Sequence, residues 1–179
     1  MTLRQNFPDE RLASDLEKKQ LFEELFLVVQ KKGEADMQKR RMTNILPTEI
    51  ELSLGCFVEG LDLQTREAVL LLHKKGYCID ASGFTENPCI QMIEGDFQLS
   101  KELIEKLSKI DVQVMKNASD YTRIQFTPES PDINDIKKKW ILIASLFPEK
   151  SCIATPSMTQ KARNFRLQNT SPSTKNFKS

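Results

Sequence analysis

The stretch TREAVLLLHKKGYCIDASGFTENPCIQMIEGDFQLSKELIEKLSKIDVQVMKNASDYTRIQFTPESPDINDIKKKWILIASLF, residues 65–147, runs twice through one order of patterns. Each unit is an amphipathic helix followed by two short alternating segments, and a third helix closes the series. In the first unit Ala68, Leu71 and Leu72 share a helical face, Asp62 is placed to cap the helix, and Gly76 is placed to end it in a left-handed turn. Tyr77 to Ser82 and Cys89 to Glu94 then read as strands, with a loop opening at Gly83 and Pro88 marking the start of the return strand.

In the second unit Ser100 caps a helix stapled by Leu99 and Ile104, with Leu103, Ile104 and Leu107 as its buried stripe. Val112 to Met115 and Tyr121 to Phe126 follow as strands. Ser130-Pro131-Asp132 starts the last helix, where Ile133, Ile136, Trp140, Ile143 and Phe147 recur every three or four residues until Pro148 ends it. The expected fold class is α+β: a mainly antiparallel sheet with helices packed on one face, repeated helix-strand-strand units and a C-terminal capped helix.

Working outward, Asp9 to Lys32 predicts a helix whose core face carries Leu12, Leu16, Phe22, Phe26 and Val29. Leu21, Leu25 and Val28 fall off that face. A helix resting on one sheet needs only one apolar side, so these three are the candidate interface for a protein partner or a second copy in a homodimer. Gly33 interrupts the pattern, and Glu34 to Asn44, with Lys39-Arg40-Arg41, reads as a basic linker or a second short helix. Thr48 to Leu54 alternates apolar and polar residues as a half-buried strand would. Beyond Pro148 apolar residues are isolated among Ser, Thr, Asn, Gln and Lys, a composition that cannot offset ordering entropy. The expected organisation is an N-terminal helix and linker over 1–47, a core domain over 48–149 and a disordered basic tail over 150–179.

Charge narrows the function classes. The formal net charge is +1, from 26 basic and 25 acidic residues, but Lys150, Lys161, Arg163, Arg166, Lys175 and Lys178 are followed or separated by no acidic residue. Setting those six aside leaves 20 basic against 25 acidic, so residues 1–149 carry −5. A grip on nucleic acid would therefore rest on Lys39, Arg40, Arg41, Lys161, Arg163 and Arg166 rather than on the folded body. The paired strands also lack the aromatic residues with which an RNA-recognition motif stacks bases. No apolar run approaches the roughly 20 residues of a membrane-spanning helix, and nothing after Met1 resembles an export signal. Cys56, Cys78, Cys89 and Cys152 include no Cys-x-x-Cys pair, so the expectation is a cytoplasmic protein with free thiols and no membrane contact.

Residues able to do chemistry are few. His73, the single histidine, lies near a helix C-terminus among lysines, where the dipole favours the charged imidazole and makes it a poor base. Cys78, Cys89 and His73 would supply three zinc ligands where a structural site takes four, so neither a metal nor a cofactor is expected. Glu86, Glu94 and Asp96 fit the spacing of no calcium loop and read as solvated charges around the hairpin. Ser82-Gly83-Phe84 is the candidate ligand loop: one glycine at a strand end can expose backbone N–H groups to an anion, although the glycine series and following lysine of a P-loop are missing. The expectation is a non-enzymatic protein-interaction or regulatory module. A nucleic-acid-associated protein is the first alternative, and a small enzyme built around Ser82 and Gly83 the second.

Overall fold

The computed structural model describes residues 10–116 and 121–150. The first element is α1, Glu10–Met42, and a short helix α2, Glu49–Leu54, follows it. A single 3-10 turn at Val58–Gly60 leads into the body, which runs α3 (Arg66–Lys74), β1 (Ala81–Phe84), β2 (Gln91–Gly95), α4 (Lys101–Ser108), β3 (Gln113–Lys116), β4 (Thr122–Phe126) and α5 (Ile133–Leu146). The four strands form one antiparallel sheet in the order β1-β2-β4-β3, so the two hairpins meet through β2 and β4. This is the α+β architecture the repeated pattern predicts.

Strand alternation divides the sheet cleanly. Ser82, Ile93, Ile124 and Val114 stand in one cross-strand row, with Phe84, Gln91 and Phe126 in the next, on the face that meets the helices. Trp140 of α5 is fully buried there, 5.0 Å from the Phe126 ring. Tyr77, Phe97 and Phe147 close the end of the core edge to face. Lys75 joins the two helices that pack side by side, α3 and α5: its Nζ donates to the carbonyls of Ala144, Ser145 and Phe147, the groups a helix end leaves unpaired. The opposite sheet face is polar, with Arg123 bonded to Glu94 at 2.9 Å and Gln125 to Gln113 at 3.1 Å.

Several elements depart from expectation for identifiable reasons. Gly33 does not stop α1, which continues through the proposed linker to Met42. Glycine lowers helix propensity by only about 1 kcal/mol, and contacts made further along the helix outweigh that. Thr48 to Leu54 is a helix, because Thr48 and Glu51 form a reciprocal capping box and Gly55 closes the far end at φ 79°. The Thr-x-x-Glu spacing carried that signal, and seven alternating residues were too few to outweigh it. Asp62 is not the cap of α3; Thr65 precedes the helix, and only the Asp62 carbonyl serves its first N–H groups. Asp132, one residue after Pro131, caps α5 through a 2.7 Å bond from the Asn134 N–H.

Candidate functional site

α1 is the element with the most surface to spare. Its 33 residues extend about 50 Å, at 1.5 Å per residue, and only part of that length is held to the body. The inner seam consists of Phe22, Phe26, Val29, Gly33, Met37 and Arg40, spaced by three or four residues throughout. Phe22 and Val29 are buried, and Phe26 meets the Phe84 ring edge to face at 5.2 Å. Leu25 packs against the same core, so it leaves the set of interface candidates. Leu21 and Val28 are 50% and 62% exposed, and Leu16, expected in the core, is also exposed. Phe84 and α1 thus meet across a contact that no local pattern encodes.

At the far end of α1 a polar lock fastens the helix. Arg40, the middle residue of the basic triplet, turns inward: its guanidinium lies 2.8 Å from the Glu51 carboxylate and 4.9 Å above the Phe57 ring, and it donates to the Leu46 carbonyl. Glu51 is itself buried and accepts from the Thr48 N–H and hydroxyl and the Val58 N–H. Burial alone would push its carboxyl up, but those donors and Arg40 outweigh it and hold the group below the usual carboxylate range. Arg40 is therefore a structural cation rather than a phosphate contact. Lys39 and Arg41 remain exposed on either side of it. Lys161, Arg163 and Arg166, with the rest of the expected tail, lie outside the described residues.

This lock shapes the surface above it. The chain turns from α1 into α2 with Met42, Ile45 and Leu46 at 76%, 55% and 83% exposure, and Ile50 and Leu52 of α2 also face outward. Between α1 and the 3-10 turn lies a cleft of about 470 Å³ lined by Val29, Gly33, Met37, Arg41, Glu59 and Asp62.

The proposed ligand loop is a strand. Ser82, Gly83 and Phe84 belong to β1, at the sheet edge, and Asp62 occupies the place an anion would take. The Thr85 N–H bonds to Ile90 across the hairpin, so the neighbouring Phe84 N–H points away from β2, and the Asp62 carboxylate accepts it. Gly83 adopts φ 126°, and a β-carbon there would overlap that carboxylate. Burial raises the Asp62 carboxyl; the Phe84 N–H, Gln64 and Arg66 pull the other way without reversing it. The glycine signal was genuine, but the anion it accommodates is the chain's own.

The remaining candidates for chemistry are dispersed. Ser82 Oγ lies 3.1 Å from Thr65 Oγ1, while the imidazole of His73 is 3.0 Å from Ser53 Oγ. A cavity of about 360 Å³ beside Ser82 is lined by Cys56 and Cys78, but burial, with Glu51 adding to it, pushes the Cys56 thiol up and away from the thiolate. Cys78 and Cys89 stand at opposite ends of the β1–β2 hairpin, because the register sets Cys89 beside the loop and Cys78 before the first pair. Among the described residues no group of three or more His, Cys, Asp and Glu side chains is placed to hold a metal ion, and no helix is long and apolar enough to cross a membrane. Compared with known protein families, curated proteins and solved structures, the chain matches none.

Proposed function

We propose that this chain is a non-enzymatic protein-interaction module whose contact surface is the outer side of α1 and the corner joining it to α2. One observation carries the proposal: of the fourteen large apolar side chains exposed among the described residues, ten lie between Leu16 and Leu52. Scattered apolar residues are ordinary on a protein surface, whereas concentration in one region marks a place where another surface sits. The Arg40–Glu51 lock supports the same reading, since it holds in place a corner whose apolar side chains face outward. A preorganised surface loses less entropy when a partner binds.

Cross-linking of the full chain in a native lysate, followed by mass spectrometry, tests the proposal. Val28→Glu and Leu46→Glu should abolish the cross-links made by α1 and the corner while leaving the melting curve unchanged. An unaltered cross-link pattern in both variants would overturn it.

A further inference from the structure

α1 carries a second, outward stripe distinct from the seam that holds it to the body. Leu21, Val28, Ala35 and Met42 follow one another at seven-residue intervals, and all four are exposed. The stripe spans 21 residues, about 32 Å, and drifts only ~20° around the helix per heptad. That drift is what a left-handed pair of helices absorbs by supercoiling. Leu25 is already used by the core, whereas Leu27, 50% exposed, flanks the stripe and adds to its apolar area.

The charges beside the stripe are segregated along the helix. Residues 14–28 hold four acidic and two basic side chains, and residues 29–42 hold five basic and two acidic. Arg40 and Asp36 face Glu51 and Arg66 within the chain, so the excess of three positive charges in the second half remains after both are removed. A helix acidic at one end and basic at the other is complementary to a copy of itself in the reverse direction, and repels a copy in the same direction.

Resting on the interaction module proposed above, we infer that the outer surface of α1 receives a second copy of this chain, the two α1 helices running antiparallel. The two-fold axis passes between residues 31 and 32. Leu21 of one copy then faces Met42 of the other, Val28 faces Ala35, whose small side chain admits close approach, and Glu24 faces Lys39. Lys31 and Lys32 straddle the axis, and their like charge limits the affinity. The contact is isologous, so every pairing occurs twice.

Sedimentation velocity on the full chain up to about 100 μM, a range that captures weak interfaces, should show twice the 20.6 kDa chain mass at the upper end. Val28→Glu should abolish the dimer with no change in melting temperature, since that side chain is 62% exposed. Glu24→Lys, and separately Lys39→Glu, should each weaken self-association by roughly tenfold or more, because each sets like charge against like at both Glu24–Lys39 pairings, and an equimolar mixture of the two should associate again as a heterodimer. Weakening of both variants fixes the direction. In a parallel pair each position faces its own copy, so each exchange would only swap one like-charged pair for another and leave self-association unchanged, which would overturn the antiparallel arrangement. Recovery in the mixture shows that the loss is electrostatic. A monomeric wild type overturns the second copy, as does a mixture that fails to associate. If that monomer still forms cross-links that Val28→Glu abolishes, the interaction module stands without the dimer. If Val28→Glu and Leu46→Glu both leave the cross-links unchanged, both proposals fall.

Discussion

The sheet with α3, α4 and α5 is held together by apolar side chains, whereas the shoulder formed by α1, α2 and the 3-10 turn is fastened largely by buried and half-buried polar groups. In the first region Trp140, Phe126, Ile124, Ile93 and Ile143 are all nearly or fully removed from water. In the second, Phe22 and Val29 anchor one stretch of α1, and further along the attachments are Arg40 to Glu51 and Arg66 to Asp36, with the Asp62 carboxylate on the Phe84 N–H securing the 3-10 turn to the sheet edge. Apolar packing is non-directional and tolerates small shifts. A buried ion pair needs its geometry, and losing one partner strands the other charge. The contrast teaches that the body should fail by loss of volume and the shoulder by loss of single polar atoms.

The largest effect tests the body. Trp140→Ala should cost about 3–5 kcal/mol by chemical denaturation, the range for truncating a large buried aromatic. Among the described residues the indole N–H has no hydrogen-bond partner, so Trp140→Phe should cost markedly less. Equal losses for the two would mean that a polar contact, not packing, dominates there.

Glu51→Gln is the matching test of the shoulder, because it removes the nearer counterion of the largely buried Arg40 and leaves it the Glu59 carboxylate at 3.8 Å. A loss on the order of 3 kcal/mol at neutral pH is expected. The wild type should also show a pH signature: the folded-state carboxyl lies below its ordinary 4.5, so its contribution is present above that value and is lost as pH falls through the lowered one. Denaturant titrations between neutral and acidic pH should show this slope in the wild type and a flatter one in Glu51→Gln. Parallel slopes would remove Glu51 as the group responsible.

A smaller effect is expected at the clasp on β1. Gly83→Ala places a methyl group against the Asp62 carboxylate in a left-handed backbone conformation, at a cost of about 1–3 kcal/mol. Asp62→Gly in the same chain should relieve part of that cost, and a double-mutant cycle measures how much. Additive losses would show that the two residues do not compete for space. The smallest change has the opposite sign: a β-carbon at Gly33 meets nothing within 4 Å, so Gly33→Ala should stabilise the protein by roughly 0.5–1 kcal/mol in a thermal melt. Destabilisation would mean that the cleft beside Gly33 is more tightly constrained than its open space indicates.

How far local sequence reaches follows the same division. The two helix-strand-strand units, the order of strands along the chain, the buried Trp140 and the Ser100 cap are legible because each is written in spacing of three, four or two residues within one element. The surplus apolar character of α1 is legible too, since a helix with leucine and valine on several sides must expose some of them. The sequence does not show which are exposed: Leu25 goes to the core, while Leu16, Leu21 and Val28 do not.

That sorting depends on where α1 crosses the body, and the crossing is made by residues far apart in the chain. Phe26 meets Phe84, Asp62 meets Gly83, and Arg40 meets Glu51 of α2, a helix whose residues alternate locally as a strand's would. A charged or glycine residue looks the same in sequence whether it faces solvent, a ligand or a partner within the fold. Lys39, Arg40 and Arg41 are three adjacent cations, and a rotation of 100° per residue about the helix axis is what turns only the middle one inward. Local spacing determined the helices and strands of the body and their apolar faces; the assembled structure alone decided which polar groups were already satisfied, because electrostatic complementarity is a property of pairs brought together in space.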